Sequence, residues 1–232
     1  MKRVLTAALM LASATGGVSA QTIGTEPSKS PYADVVDGQR LSVIGGVIMF
    51  GQDPAKVGPK GTSPLAGLRY DVHMGGPAYF TMRFLTGHGY RDIFDYNRTA
   101  ATRKIGQKPS FLLLTDIGLT VSLTGERTWK GIQPLLFTGL GFALAPGDTR
   151  KDVSGYTFGN KFTISTGLGI RWRTTQNTQF RADLGWYYWA MKYPDTYRST
   201  TADPKPILPS GGLSPFYGSR AITMGYSWGL FR

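Results

Sequence analysis

Apolar and polar residues alternate with a period of two in eight stretches: 40–50, 63–74, 77–86, 111–123, 132–144, 160–173, 179–192 and 221–232. A period of two sends successive side chains to opposite faces of a strand. Phe162 to Trp172 shows it most plainly, with Phe162, Ile164, Leu168, Ile170 and Trp172 on one face and Thr163, Ser165, Gly167, Gly169 and Arg171 on the other. The same division sets Leu68, Tyr70 and Val72 against Arg69, Asp71 and His73, and Phe80, Met82 and Phe84 against Thr81 and Arg83. It recurs as Phe111, Leu113, Ile117 and Leu119 against Asp116 and Gly118, and as Phe180 and Leu184 against Arg181 and Asp183. The first stretch, RLSVIGGVIMF, leaves its two faces undecided.

Each stretch has the roughly 9 to 11 residues, or slightly more, that a tilted strand needs to cross a bilayer. The connections measure 12, 2, 24, 8, 15, 5 and 28 residues, long and short in turn. That sorting has no cause in a soluble up-and-down barrel, whereas outer-membrane barrels join short periplasmic turns to long extracellular loops. The charges point the same way. Burying Arg69, Asp71, Arg83, Asp116, Arg171, Arg181 and Asp183 in a dry core costs several kcal/mol per ion. Facing the apolar set to lipid instead leaves the ions to form a polar lumenal network, which His73 joins on the face of Asp71. Gly67, Gly118, Gly139, Gly141, Gly167, Gly169, Gly185, Gly225 and Gly229 share the charged face, as the narrow interior of eight strands requires. The expectation is an all-β, eight-stranded antiparallel transmembrane barrel. Aromatic girdles are expected at both interfaces, from Tyr79, Trp129, Trp172, Trp228 and Phe231 at the periplasmic one and Phe50, Phe111, Tyr188 and Trp189 at the outer one.

The chain opens MKRVLTAALMLASATGGVSA, a basic start, a short apolar run and small residues before Gln21. This is the pattern of a secretory signal peptide over 1–20, too short to span a bilayer as a helix. Residues 21–39, with Pro27 and Pro31, read as a flexible periplasmic segment, and 40–232 as the barrel. The chain has no cysteine, so disulfide scaffolds and thiolate metal sites are unavailable. Without Lys2 and Arg3 the charge is 24 basic against 14 acidic residues, +10. On an exported chain such a balance suits membrane-surface phosphates better than nucleic acid, and no basic and aromatic pattern recurs on a solvent face.

Signal peptide, eight alternating strands and the closing GYSWGLFR resemble the small outer-membrane β-barrels of Gram-negative bacteria, the OmpA-like, OmpX-like and OmpW-like group. The resemblance covers about residues 40 to 232 and is architectural. It implies location in the bacterial outer membrane and insertion by the outer-membrane assembly machinery, for which Tyr226, Trp228 and Phe231 look like the signal, although Arg232 follows. It also implies rival roles: a structural or surface-interaction protein, a small passive channel, or a lipid A modifying enzyme.

Candidate chemistry is sparse. His73 and His88 are the only histidines, too few for a structural zinc site without cysteine, so neither metal nor cofactor is expected. A hydrolase would need a nucleophile, a histidine and an acid in contact. His88 with Asp92 or Asp95 is the one pairing on offer, and no nucleophile accompanies it, so no catalytic residue is assigned. The expected outer loops sum to +5, most of it in 87–110, where Arg91, Arg98, Arg103, Lys104 and Lys108 face Asp92 and Asp95. These five are the candidate contacts to lipopolysaccharide phosphates, which arginine grips bidentately. The expected partners are outer-membrane lipids and lipopolysaccharide, with a monomer favoured.

Overall fold

The computed structural model describes residues 30–35, 38–95, 97–198, 207–208 and 213–231. The signal peptide expected over 1–20 and most of the segment expected over 21–39 lie outside the described residues. From Tyr32 onward the chain forms ten strands: β1 (Tyr32–Asp34), β2 (Gln39–Met49), β3 (Thr62–Gly75), β4 (Ala78–Phe94), β5 (Lys104–Ser122), β6 (Arg127–Trp129), β7 (Ile132–Leu144), β8 (Asn160–Arg173), β9 (Thr178–Ala190) and β10 (Phe216–Phe231). Eight of them, β2, β3, β4, β5, β7, β8, β9 and β10, pair antiparallel in chain order. β10 then pairs with β2 from Arg220↔Met49 to Phe231↔Gln39, so these eight strands close into a barrel.

The turns at one rim are short and chemically explicit. Gly75 and Gly76 both take positive φ, 115° and 55°, in the turn from β3 to β4. Lys130 (φ 50°) and Gly131 (φ 82°) make the two-residue hairpin between β6 and β7, where both central residues must be left-handed. In the turn from β8 to β9 the Thr175 hydroxyl accepts from the Asn177 and Thr178 amides. Tyr32–Asp34 form β1, which pairs with β6 beside this rim.

At the opposite rim the connections cover 50–61, 95–103, 145–159 and 191–215. The loop expected over 87–110 contracts to 95–103, because β4 and β5 stay in register to Ile93↔Gly106 and, after a register shift, pair once more at Phe94↔Lys104. Alternation continues through this extension, with Gly87, Gly89 and Arg91 inward, but outward Thr86 and His88 are not apolar, which hides it from a count of hydrophobic positions.

The barrel wall turns its apolar side chains outward. Val43, Leu68, Ile117, Leu140, Ile170 and Met224 are all exposed, while Arg69 (1 % exposed), Asp116, Arg171 and Arg181 are buried. An apolar band of this extent around a closed sheet belongs against hydrocarbon; in water it would be an aggregation surface. β2 settles its faces the same way, with Arg40, Ser42, Ile44 and Ile48 inward and Val43, Val47 and Met49 outward. The Ser42 and Ser227 hydroxyls meet at 2.7 Å inside the closing seam. Trp129, Trp172, Trp228, Phe111 and Tyr188 are exposed, but Tyr79 and Trp189 are not girdle residues. Both occupy inward positions of their strands and are buried.

Candidate functional site

The interior divides into two zones. Toward the short-turn rim it is ionic. Arg69 Nε donates to both carboxylate oxygens of Asp71 at 2.9 Å, and its Nη2 reaches Thr120 Oγ1 at 2.8 Å. The Thr81 hydroxyl donates to Asp71 at 2.6 Å. Arg181 Nε grips Asp183 at 2.8 and 2.7 Å, and Asp183 stands 3.6 Å from Arg69 Nη1, so the two pairs form one group of four charges. Arg83 binds Asp116 through two parallel 2.8 Å bonds, donates to Ser165 at 3.0 Å and lies 4.0 Å over the Phe137 ring. Arg171 lies 4.5 Å over Tyr79 and donates to Gln133. Glycine makes the room: a Cβ on Gly169 would collide with the Asp183 carboxylate, and one on Gly167 with the Phe137 ring. His73 stands apart from the ion pairs. Its Nε2 is 3.0 Å from the Gly76 carbonyl and its ring 5.1 Å from Tyr79.

Toward the long-loop rim an apolar cluster fills the interior above the polar network. Ile44, Ile48, Leu65, Leu85, Leu112, Leu114, Ala143 and Trp189 are all buried and form one cluster. Loop residues seal it from above. Tyr156, Tyr193 and Tyr197 pack with ring centroids 6.0 to 6.4 Å apart, and Phe158 meets Trp189 edge-on. Their polar ends are satisfied: the Tyr193 hydroxyl donates to Asp53 at 2.8 Å, and Tyr197 and Ser154 share a 2.7 Å bond. Burial, reinforced by the neighbouring Asp53 charge, pushes the Tyr156 and Tyr193 phenols well above the ordinary tyrosine value. Burial raises Tyr197 too, with the Ser154 hydrogen bond acting against it.

Arg91 ties this cap to the barrel. Its Nε and Nη2 bind Asp148 at 2.6 and 2.9 Å, and Nη1 binds Asp152 at 2.6 Å. Burial alone would raise the Asp148 carboxyl; hydrogen bonds from Arg91, Lys108 and the Phe158 amide outweigh it and hold the group below its ordinary value.

The five cations expected to contact lipopolysaccharide fall into two groups in the structure. Arg91 and Arg103 are buried, so neither presents its guanidinium on an exposed loop. Arg98 pairs with Asp95 at 3.1 Å, Lys104 with Asp92 at 3.1 Å and Lys108 with Asp148 at 2.8 Å. Asp92 also holds Lys60 at 2.7 Å. His88 packs edge-on against Phe111, and the acids once considered for it, Asp92 and Asp95, are engaged with these bases. Among the described residues no group of three or more His, Asp or Glu is placed to hold a metal ion.

Sequence reasoning missed Asp53, Asp148, Asp152 and the three tyrosines of the cap. One signal was available: 145–159 sums to zero charge while the other long loops are basic, and its acids are the ones that bind Arg91 and Lys108.

No family model and no curated protein matches this chain. Among solved structures it is similar to Neisserial surface protein A, at 9% identity and a TM-score of 0.47, covering 87% of this chain and 98% of that one. It is also similar to the N-terminal β-barrel domain of Pseudomonas aeruginosa OprF, at 11% identity and a TM-score of 0.45, over 83% and 98% of the two chains. The outer membrane enzyme PagL is 15% identical with a TM-score of 0.41, over 82% and 99%. Likeness at this level concerns architecture, and no residue role is carried across from it.

Proposed function

We propose that this chain is a bacterial outer-membrane barrel with a filled lumen, acting as a structural and surface-interaction protein that meets lipopolysaccharide and other envelope anions through its basic outer rim. The observation that carries this reading is the double closure of the interior. Ion pairs such as Arg69 with Asp71 and Arg83 with Asp116 occupy one half, and the cluster around Leu112 and Trp189 under the tyrosine cap occupies the other. Eight strands enclose little more than their own side chains, so little space is left for a solute path. The long-loop rim becomes the extracellular one, and Arg98, Lys104 and Lys108 remain proposed contacts there. Each must exchange an acidic partner for a lipid phosphate, an exchange that costs little for exposed pairs.

Refolding into planar bilayers tests the reading. The expected result is no stepwise conductance, together with retention of lipopolysaccharide that weakens steeply as salt is raised. Steady unitary conductance, or release of acyl chains from lipid A by the purified protein, would replace it with one of the rival roles.

A further inference from the structure

The basic charge that the loops leave unneutralised lies on another part of the same rim. Residues 151–160, the start of β8 and residues 192–194 surround a cleft of about 360 Å³, lined among others by Lys151, Lys161, Lys192, Asn160 and Thr157. That volume lies within the range of small-molecule sites, about 300 to 1,000 Å³. Lys161 is only 8 % exposed, yet among the described residues its ammonium has no hydrogen bond or ion pair. Its ammonium lies near two aromatic faces, Phe158 at 5.7 Å and Tyr156 at 5.9 Å.

An ammonium set among ring faces in a half-closed cleft gives up part of its solvation, a cost that an anion would offset. The nearby acids are committed elsewhere. Asp148 accepts from Arg91, Lys108 and the Phe158 amide, and Asp152 from Arg91 and Ser154. Lys151 and Lys192 are exposed, and the cleft lining contains no acidic residue. Three positive charges therefore line one cleft, and Asp148, the acid whose charge reaches Lys161, is already shared among Arg91, Lys108 and the Phe158 amide. The position of the cleft indicates the source of the anion. Phe162, next to Lys161, is 44 % exposed on the apolar wall and meets Phe142 edge-on at 6.1 Å. The cleft thus opens where the hydrocarbon-facing wall ends, the level at which lipid phosphates lie.

We infer that the Lys151, Lys161 and Lys192 cleft is an oxyanion site that takes a phosphate group borne by an outer-leaflet lipid. The assignment rests on the envelope-binding reading above and localises it to one part of the rim.

The full-length protein refolded in detergent micelles is titrated with bisphosphorylated lipid A, with dephosphorylated lipid A and with glucose 1-phosphate. Bisphosphorylated lipid A binds best, and removing its phosphates weakens binding at least about tenfold, the loss of one charge-assisted hydrogen bond. Lys161→Met and the double variant Lys151→Gln/Lys192→Gln each weaken it by a similar factor, whereas Lys130→Gln, an exposed change at the short-turn rim, does not. The double variant changes exposed side chains only, so it decides the matter if Lys161→Met fails to fold. Glucose 1-phosphate binding as tightly as lipid A would overturn the lipid source in favour of a soluble phosphate. Loss of binding in Lys104→Gln/Lys108→Gln with retention in the cleft variants would overturn the cleft and leave the rim reading standing. Equal binding of lipid A with and without phosphates would overturn both.

Discussion

The two halves of the barrel interior solve one packing problem with opposite chemistry. Near the short-turn rim, Arg69, Asp71, Arg181 and Asp183 fill the space with charges that satisfy one another. Near the long-loop rim, Ile48, Leu112, Leu114 and Trp189 fill it by apolar contact, and loop tyrosines exclude water above them. The ionic half depends on every partner being present, since the solvation surrendered by each ion is recovered only through its neighbours. The apolar half depends on volume, and its loss scales with the space left behind.

The largest effect expected from this contrast is at Asp71. Asp71→Leu leaves Arg69 without the carboxylate that its Nε grips and lowers stability by about 3–5 kcal/mol, read from urea unfolding in lipid vesicles by tryptophan fluorescence. Arg69→Met/Asp71→Leu, which removes the pair together and keeps Arg181 with Asp183, recovers most of that loss. A double variant as unstable as the single one would show that the ionic half is held by shape instead of by charge balance. In the apolar half Leu112→Ala costs about 2–5 kcal/mol, and no charge-balanced rescue exists for it.

Acidification separates the cap from the barrel with a smaller effect. Asp148 is held below its ordinary value of 3.8, so its stabilisation is present above that value and is lost as pH falls through the lower folded one. Below about pH 4 the 145–159 loop should open to pepsin while the barrel keeps its heat-shifted gel mobility. A loop that stays resistant would show that the tyrosine packing suffices without Arg91. The smallest change is Tyr197→Phe, which keeps the ring stack, removes the bond to Ser154 and costs about 0.5–1.5 kcal/mol.

The wall of this barrel was open to inspection in the chain itself. Leu68, Ile117, Ile164 and Leu184 alternate with Arg69, Asp116, Ser165 and Asp183, and a strand period of two leaves one arrangement in which the ions avoid both lipid and an unpaired core. The ionic residues were legible for the same reason, as charges recurring on one face. The apolar plug was not. Ile44, Ile48 and Leu112 share the face that carries charge lower down their strands, so alternation alone gives them no distinct mark. Tyr79 and Trp189 were misplaced for a related cause: an aromatic residue near a strand end suits a membrane interface and a barrel interior equally well by composition.

The site on the rim was hidden more deeply. Arg91 sits in β4 while its partners Asp148 and Asp152 lie in the loop after β7, a pairing that no local pattern encodes. The five cations of 87–110 counted equally as charge, yet burial removed two of them and acids engaged the other three. By itself the sequence determined the eight strands of the barrel wall and which face meets lipid, because side-chain alternation and the cost of burying ions act within each segment. Only the tertiary structure decided that the interior is half ionic and half apolar, which cations are spent on internal acids, and that Lys161 is left beside aromatic rings with no acid of its own. Those outcomes depend on which loops fold over which mouth of the barrel, a matter of distances between residues far apart in the chain.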